Sequence, residues 1–285
     1  PIMTIHPGRA VTFEAILPSE LERDVPGEIS VLAVDCFHNL ATGHTGELEC
    51  HMGEKLIYQG SFEPWECGVK KIQFVPSETG TLRISVADGQ GGKEIWSNPA
   101  VVLEGPRHFW GDLHGHTGIQ WGRGSGRSYY EFAREVAQVD FCALTDPDAG
   151  RYTNNNETAM NSLSCYMTDE QWRGIQEVNR QFYEPGRFVP LLGYEYHNDA
   201  PDPEFGGDRN VYYESYDEPI RRCVDEGSYT PEQLWQQIRD QKVRAITVPH
   251  HTAKKVMLGS WDLHDEEFQR LVEIYSSWGS SEGEG

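Results

Sequence analysis

The sequence predicts an α/β protein with an all-β N-terminal domain. Three observations carry this. Period-two alternation of apolar and polar residues, broken by frequent turn signals, fills residues 1 to about 104. After Gly105-Pro106 the pattern changes to apolar strands alternating with amphipathic helices, which argues for parallel βα units in an open sheet or a barrel. The first strand of that second part, residues 105–285, runs into His114-Gly115-His116, a pair of imidazoles at a strand end.

Taken in order, Val11, Phe13 and Ala15 alternate with polar neighbours, as do Ile29, Val31 and Ala33, and then Leu82, Ile84 and Val86. Pro26-Gly27, Asn39, Thr42-Gly43, Gly80 and Asp88-Gly89 supply the turns. Short strands at this spacing predict a β-sandwich. His38, His44 and His51 lie near turns and read as solvated. In the second part, Ser128 caps a predicted helix through Tyr130, Phe132, Ala133 and Val136. A strand at 139–144 follows, then a helix at 168–182 with Thr168 and Gln171 forming a capping box. Strands at 188–194 and 209–213 come next. A helix at 230–240 carries Pro231 in its first turn and leads into a strand at 244–248. A last strand is predicted at 271–275.

The balance of 24 basic to 45 acidic residues gives a net charge of -21. That opposes binding to nucleic acid or to an anionic membrane, both of which need clustered positive charge. No apolar run approaches the ~20 residues of a membrane span. Cys36, Cys50, Cys67, Cys142, Cys165 and Cys223 are scattered, with no CxxC pair, and read as isolated small hydrophobes. The chain starts at Pro1 and ends in Gly283-Glu284-Gly285 soon after a strand-like run, so a fragment is expected. Compartment and oligomeric state are not legible.

Candidate metal ligands gather at the predicted strand ends. His114 and His116 end the first, Asp146 and Asp148 follow the second, and Glu195 and His197 the third. Asp208 precedes the strand at 209–213, His250 and His251 follow Val248-Pro249, and Glu273 lies in the last strand. Imidazole with carboxylate suits zinc, manganese or iron, and a carboxylate can bridge two ions. Arg209 could clamp a substrate oxygen. The loop 122–128 matches no complete phosphate-loop pattern and reads as a plain loop. Lys254-Lys255 reads as a solvated pair, and Asp262 and His264 as loop residues.

The run Gly111-Asp112-Leu113-His114-Gly115-His116-Thr117 resembles the first motif of the polymerase-and-histidinol-phosphatase (PHP) superfamily of metal-dependent hydrolases. The phrases LLGYEY, GGDRNVYY, VPHHT and LVEIYSSWGSSE resemble later segments of one poorly characterised branch, which carries an immunoglobulin-like β domain ahead of its catalytic barrel. The resemblance implies an immunoglobulin-like sandwich at 1–104, then an incomplete, distorted (β/α)7 barrel at 105–285 with two or three divalent metals. It implies that His114 and His116 are ligands, that Glu195 bridges ions, and that one of His250 and His251 is a further ligand. Asp112 would orient an imidazole through its free nitrogen. The chain departs from the family in three places. Pro147 stands where the family has a ligating histidine, and Asp148 or His197 is the available substitute. Asp208 stands in place of a histidine before Arg-Asn. The family's last Asp-x-His motif falls beyond residue 285.

These features together predict a metal-dependent hydrolase acting on a small molecule, foremost a phosphate ester. Amide, lactone or carboxyl-ester hydrolysis would use the same metals, because substrate choice lies in loops rather than fold. A non-catalytic module is the third reading, with Trp65 and Trp96 as candidate contacts for a partner or glycan.

Overall fold

The computed structural model describes residues 6–89, 94–119, 122–148, 166–197, 207–253, 263–276 and 279–282. Cys165, Lys254, Lys255 and Asp262 lie outside them. The chain divides into two compact units, one running to Trp110 with Glu131–Asp140 added, the other formed by Gly111–Tyr130 and the rest.

The first unit is built mainly of β-strands. Its strands are β1 (Thr12–Ile16), β2 (Glu20–Glu22), β3 (Gly27–Val34), β4 (Glu47–Met52), β5 (Lys55–Ser61), β6 (Val69–Phe74), β7 (Gly80–Leu82), β8 (Ile84–Asp88), β9 (Ile95–Trp96) and β10 (Ala100–Leu103). They form three small sheets, ordered β1-β3-β6, β2-β10-β7 and β5-β4-β8-β9, rather than the two sheets of the predicted sandwich. Alternation buries Phe13, Ile29, Val31, Leu48, Ile72, Ile84 and Val86 in one core. The opposite face of β3 is buried as well, because Leu32 and Val34 pack against Val136. Ser30 Oγ donates to the Glu135 carbonyl at 2.7 Å, and Gln138 Nε2 donates to Ser30 Oγ. These contacts tie 131–140, predicted to lie within the second part, to the first unit. His44 is no solvated turn residue: its ring stands edge-on to Phe62 at 5.0 Å and to Phe13 at 5.7 Å. Trp65 and Trp96 are exposed. Among the described residues, Cys36, Cys50, Cys67 and Cys142 are free thiols.

The second unit contains β11 (Gly111–Asp112), α1 (Gly126–Glu131), β12 (Phe141–Leu144), α2 (Asp169–Phe182), β13 (Val189–Tyr196), β14 (Arg209–Tyr213), α3 (Pro231–Asp240), β15 (Ala245–Pro249), β16 (Tyr275–Ser276) and β17 (Gly279–Ser280). The local signals explain its helices. Thr168 accepts from the Gln171 amide while the Gln171 side chain accepts from the Thr168 amide, so the capping box forms. Thr230 caps α3, and Pro231 opens it. Helix α1 begins two residues before Ser128. Ser125 caps it, its Oγ accepting from the Ser128 amide, and a π-helical turn at Phe132–Val136 follows. No helix among the described residues is long and apolar enough to cross a membrane.

Among the described residues the expected (β/α)7 barrel is absent. The second unit has one five-stranded sheet, ordered β11-β12-β13-β14-β15, in which β11, β12 and β13 are parallel but β14 is antiparallel to both β13 and β15. With the first unit built of strands apart from short helical turns at Pro64–Glu66 and Phe132–Val136, the described chain is mostly β. The physical reason lies in the connection between β13 and β14. A parallel return needs a crossover, usually helical. The linking sequence Pro201-Asp202-Pro203-Glu204-Phe205-Gly206-Gly207 carries no helical periodicity, and β14 reverses. The expected strand at 271–275 reduces to β16, which among the described residues pairs only with β17.

Candidate metal centre

The reversal of β14 positions the site. Strands β11, β12, β13 and β15 all present their C-terminal ends at one rim. A parallel β14 would have carried Asp208 to the opposite end of the sheet. Running backwards, it opens at that rim with Asp208 beside its first residue. The face below is apolar, built by Ala143, Tyr212 and Val248 with Leu113, Leu191 and Ile246. Glu195 stands opposite Asn210, and Asn210 opposite Val248, so all three share that face.

The loop after β11 is pinned at every second residue. Tyr212 Oη donates to the Leu113 carbonyl at 2.6 Å, the Gly115 amide donates to Thr145 Oγ1 at 3.1 Å, and the Thr117 amide and hydroxyl both donate to Asp146 at 2.7 Å. Between these anchors, His114 and His116 bring their rings to 5.2 Å. Gly115 is required by close approach: a Cβ there would lie 1.9 Å from Tyr129 Oη.

Around Glu195 the rings converge. His250 Nε2 lies 3.0 Å from Glu195 Oε1, and His116 Nε2 lies 3.7 Å from Oε2. Asp208 Oδ2 sits between His197 Nδ1 at 3.0 Å and His251 Nδ1 at 3.2 Å. His114 Nδ1 meets Glu273 Oε2 at 2.8 Å, and its ring centroid is 4.4 Å from that of His250. Burial pushes Glu195 upward, but the imidazoles of His197 and His250 outweigh it and hold the carboxyl well below its usual range. Burial likewise lowers His116, whereas for His114 the Glu273 carboxylate outweighs burial and raises it.

Among the described residues, three overlapping groups could hold a metal ion. They are Glu195, Asp208, His250 and His251; His114, His250 and Glu273; and His114, His116 and Glu195. Within each group, one donor atom per residue lies within 4.8 Å of the others. Metal–nitrogen and metal–oxygen bonds of ~2.0–2.2 Å place the donors of a tetrahedral ion about 3.4 Å apart. The nitrogen–oxygen separations above, from 2.8 to 3.7 Å, bracket that spacing. Glu195 and Asp208 are almost wholly buried with imidazoles as neighbours, and a cation would offset the desolvation of both carboxylates. The residues therefore fit a metal.

Five of the expected site residues take other places. Asp146 spends both carboxylate oxygens on Thr117. Asp148 accepts from the His197 amide at 2.9 Å and the Cys223 amide at 2.6 Å, and burial raises its carboxyl to about 7. Both belong to no ligand group and instead fix the loops that carry ligands. Pro147, beside them, bridges in parallel to Glu195. His197 also stands outside the three groups, although its Nδ1 reaches Asp208. Asp112 accepts the His114 backbone amide at 3.0 Å, and the carboxylate on the His114 ring is Glu273. Arg209 is no substrate clamp. It lies on the other face of β14, 1% exposed, its guanidinium 5.2 Å from the Trp235 ring, and burial lowers its pKa to about 10. Cys223, Tyr129 and Tyr212 were not marked by any sequence signal, because each acts through a backbone or ring contact far along the chain. His264 is exposed.

The family described as "Protein of unknown function (DUF3604)" matches residues 127–270, just over half of the chain, and the chain belongs to that family. An uncharacterised protein of Chlamydia muridarum (strain MoPn / Nigg) is 23% identical over 274 residues, covering 93% of this chain and 41% of the relative. One from Chlamydia trachomatis serovar D is 25% identical over 276 residues, with the same shares. The chain thus spans about two fifths of the length of these relatives. Among solved structures, a superoxide reductase (neelaredoxin) from Ignicoccus hospitalis matches 33% of this chain and 83% of its own at 15% identity and a TM-score of 0.24. The PKD domain of an M14-like peptidase from Thermoplasmatales archaeon SCGC AB-540-F20 matches 34% of this chain and 98% of its own at 10% identity and a TM-score of 0.23. Both likenesses are too slight to carry an argument.

Proposed function

We propose that the second unit is a metal-dependent hydrolase site acting on phosphate esters, with two or three divalent transition ions. The observation that carries this is Glu195, whose two oxygens face different imidazoles, His250 on one side and His116 on the other. That is the arrangement a bridging carboxylate needs. The mixed nitrogen and oxygen donors favour zinc, manganese or iron over magnesium or calcium. The resemblance of the Gly111–Thr117 run to the PHP superfamily supports the same reading.

Glu195, His114, His116 and His250 would hold the ion, which when bound would supply a water of pKa near ~7 and a Lewis acid for a phosphoryl oxygen. The chain's own residues set the geometry. Thr117 and Asp146 hold the loop that aims His114 and His116. Glu273 takes His114 Nδ1, which leaves Nε2 for a ligand role. His114 and His116 keep 21% and 25% of their side chains exposed, so a substrate can approach from their side.

The test is elemental analysis of the chain reconstituted with zinc, manganese or iron, beside the His114→Ala/His116→Ala variant. Hydrolysis of p-nitrophenyl phosphate and bis(p-nitrophenyl) phosphate is compared with that of p-nitrophenyl acetate. Two or more ions per chain, fewer in the variant, together with turnover of a phosphate ester, are expected. Turnover of the acetate alone would replace the substrate class. No bound transition metal would overturn the proposal.

A further inference from the structure

Resting on that metal reading, we infer that the centre has two tiers: an inner, closed position that serves the fold, and an outer, open position that exchanges its ion and meets substrate. The two tiers differ in burial. The side chains of Asp208, His250, Glu195, His197 and His251 are 0%, 1%, 2%, 4% and 7% exposed. Those of His114, Glu273 and His116 are 21%, 24% and 25% exposed.

The tiers also differ in donor count. The inner group offers Glu195, Asp208, His250 and His251. Four protein donors fill the coordination sphere of a zinc-like ion and leave no place for substrate, which is the mark of a structural site. Among the described residues the outer group offers three donors, His114, His116 and Glu195. Three protein donors leave an open position, the mark of a catalytic one.

Charge points the same way. Glu195 and Asp208 together carry two negative charges into the rim, matching one divalent cation, and solvent reaches neither. Release of the inner ion requires β13, the start of β14 and the end of β15 to part. Release of the outer ion requires only water to replace it beside partly exposed rings. Inner-ion binding is therefore coupled to folding, and outer-ion binding is not. Glu195 joins the tiers, one oxygen facing each.

The experiment follows metal content and thermal unfolding of the reconstituted chain during dialysis against a zinc chelator. The expected result is early loss of the outer ion with Tm unchanged, and retention of one ion per chain until unfolding. The His114→Ala/His116→Ala variant should keep that one ion and the parent Tm. Asp208→Asn should lose it and unfold at lower temperature. Where that variant does not fold, the His114→Ala/His116→Ala comparison decides by itself. Loss of all ions in one phase, or a His114→Ala/His116→Ala variant that holds none, overturns the two-tier inference while leaving a metal hydrolase in place. A parent chain that holds no ion overturns both.

Discussion

Replacing Thr117 by valine tests whether Asp146 works as a clamp. The Thr117 hydroxyl donates to Asp146 Oδ2 at 2.7 Å, and both residues are buried, at 1% and 0% exposure. Thr117→Val deletes that donor and keeps the shape. It also removes the acceptor of the Ile119 amide at 3.3 Å. A hydrogen bond to a charged group contributes about 1.5–3 kcal/mol, and a buried carboxylate that loses a donor bears the desolvation as well. The expected destabilisation is therefore ~1.5–3 kcal/mol, or roughly 3–12 °C in Tm for a unit of this size. Urea denaturation of the parent, Thr117→Val, Asp146→Asn and the double variant measures it. The double change should be less than additive, since a neutral amide loses less than a carboxylate when the hydroxyl is absent. A loss below ~0.5 kcal/mol in Thr117→Val, or strict additivity, would refute the clamp. Metal content separates the roles further. Thr117→Val and Asp146→Asn should bind the same number of ions as each other, and a deficit in Asp146→Asn alone would make Asp146 a ligand.

Gly115→Ala should destabilise the second unit by about 1–3 kcal/mol, because its Cβ would lie 1.9 Å from Tyr129 Oη and 2.4 Å from the ring carbon behind it. Tyr129→Phe should fail to rescue it, as thermal melts would show. Arg209→Met should lower Tm yet leave metal content and KM for a phosphate ester unchanged, and a KM effect at constant Tm would return Arg209 to the site. The Gly8, Asn39 and Phe37 amides, with the Asn39 side chain, hold the Asp35 carboxyl down to about 2, below its ordinary 3.8. A depressed carboxyl stabilises the fold fully above pH ~4, and the contribution disappears as pH falls through about 2. Asp35→Asn should therefore flatten that part of the Tm–pH curve of the first unit, and an unchanged curve would show that Asp35 does not set it.

Much of the site is local and therefore legible in sequence. His-x-His just past a strand end marks two rings that the two-residue period of an extended chain carries to one side, and Thr168 with Gln171 and Thr230 with Pro231 mark helix starts through bonds within one turn. The same period separates Asp208 from Arg209, since adjacent strand residues face opposite sides of a sheet. Which side faces the histidines and which faces Trp235 is a matter of packing, and only the tertiary structure decided it. The direction of β14 was decided there too. Strand propensity is blind to direction, and the pairing partner depends on the long-range chain path. Glu273 shows the same limit: its place beside His114, 159 residues away, depends on where the chain returns after β15, which no local pattern encodes. The sequence by itself determined which residue types stand at the strand ends, because that follows from alternation and turn chemistry. The fold determined which of them meet, because convergence depends on strand order and direction, and these are set by burial across the whole sheet.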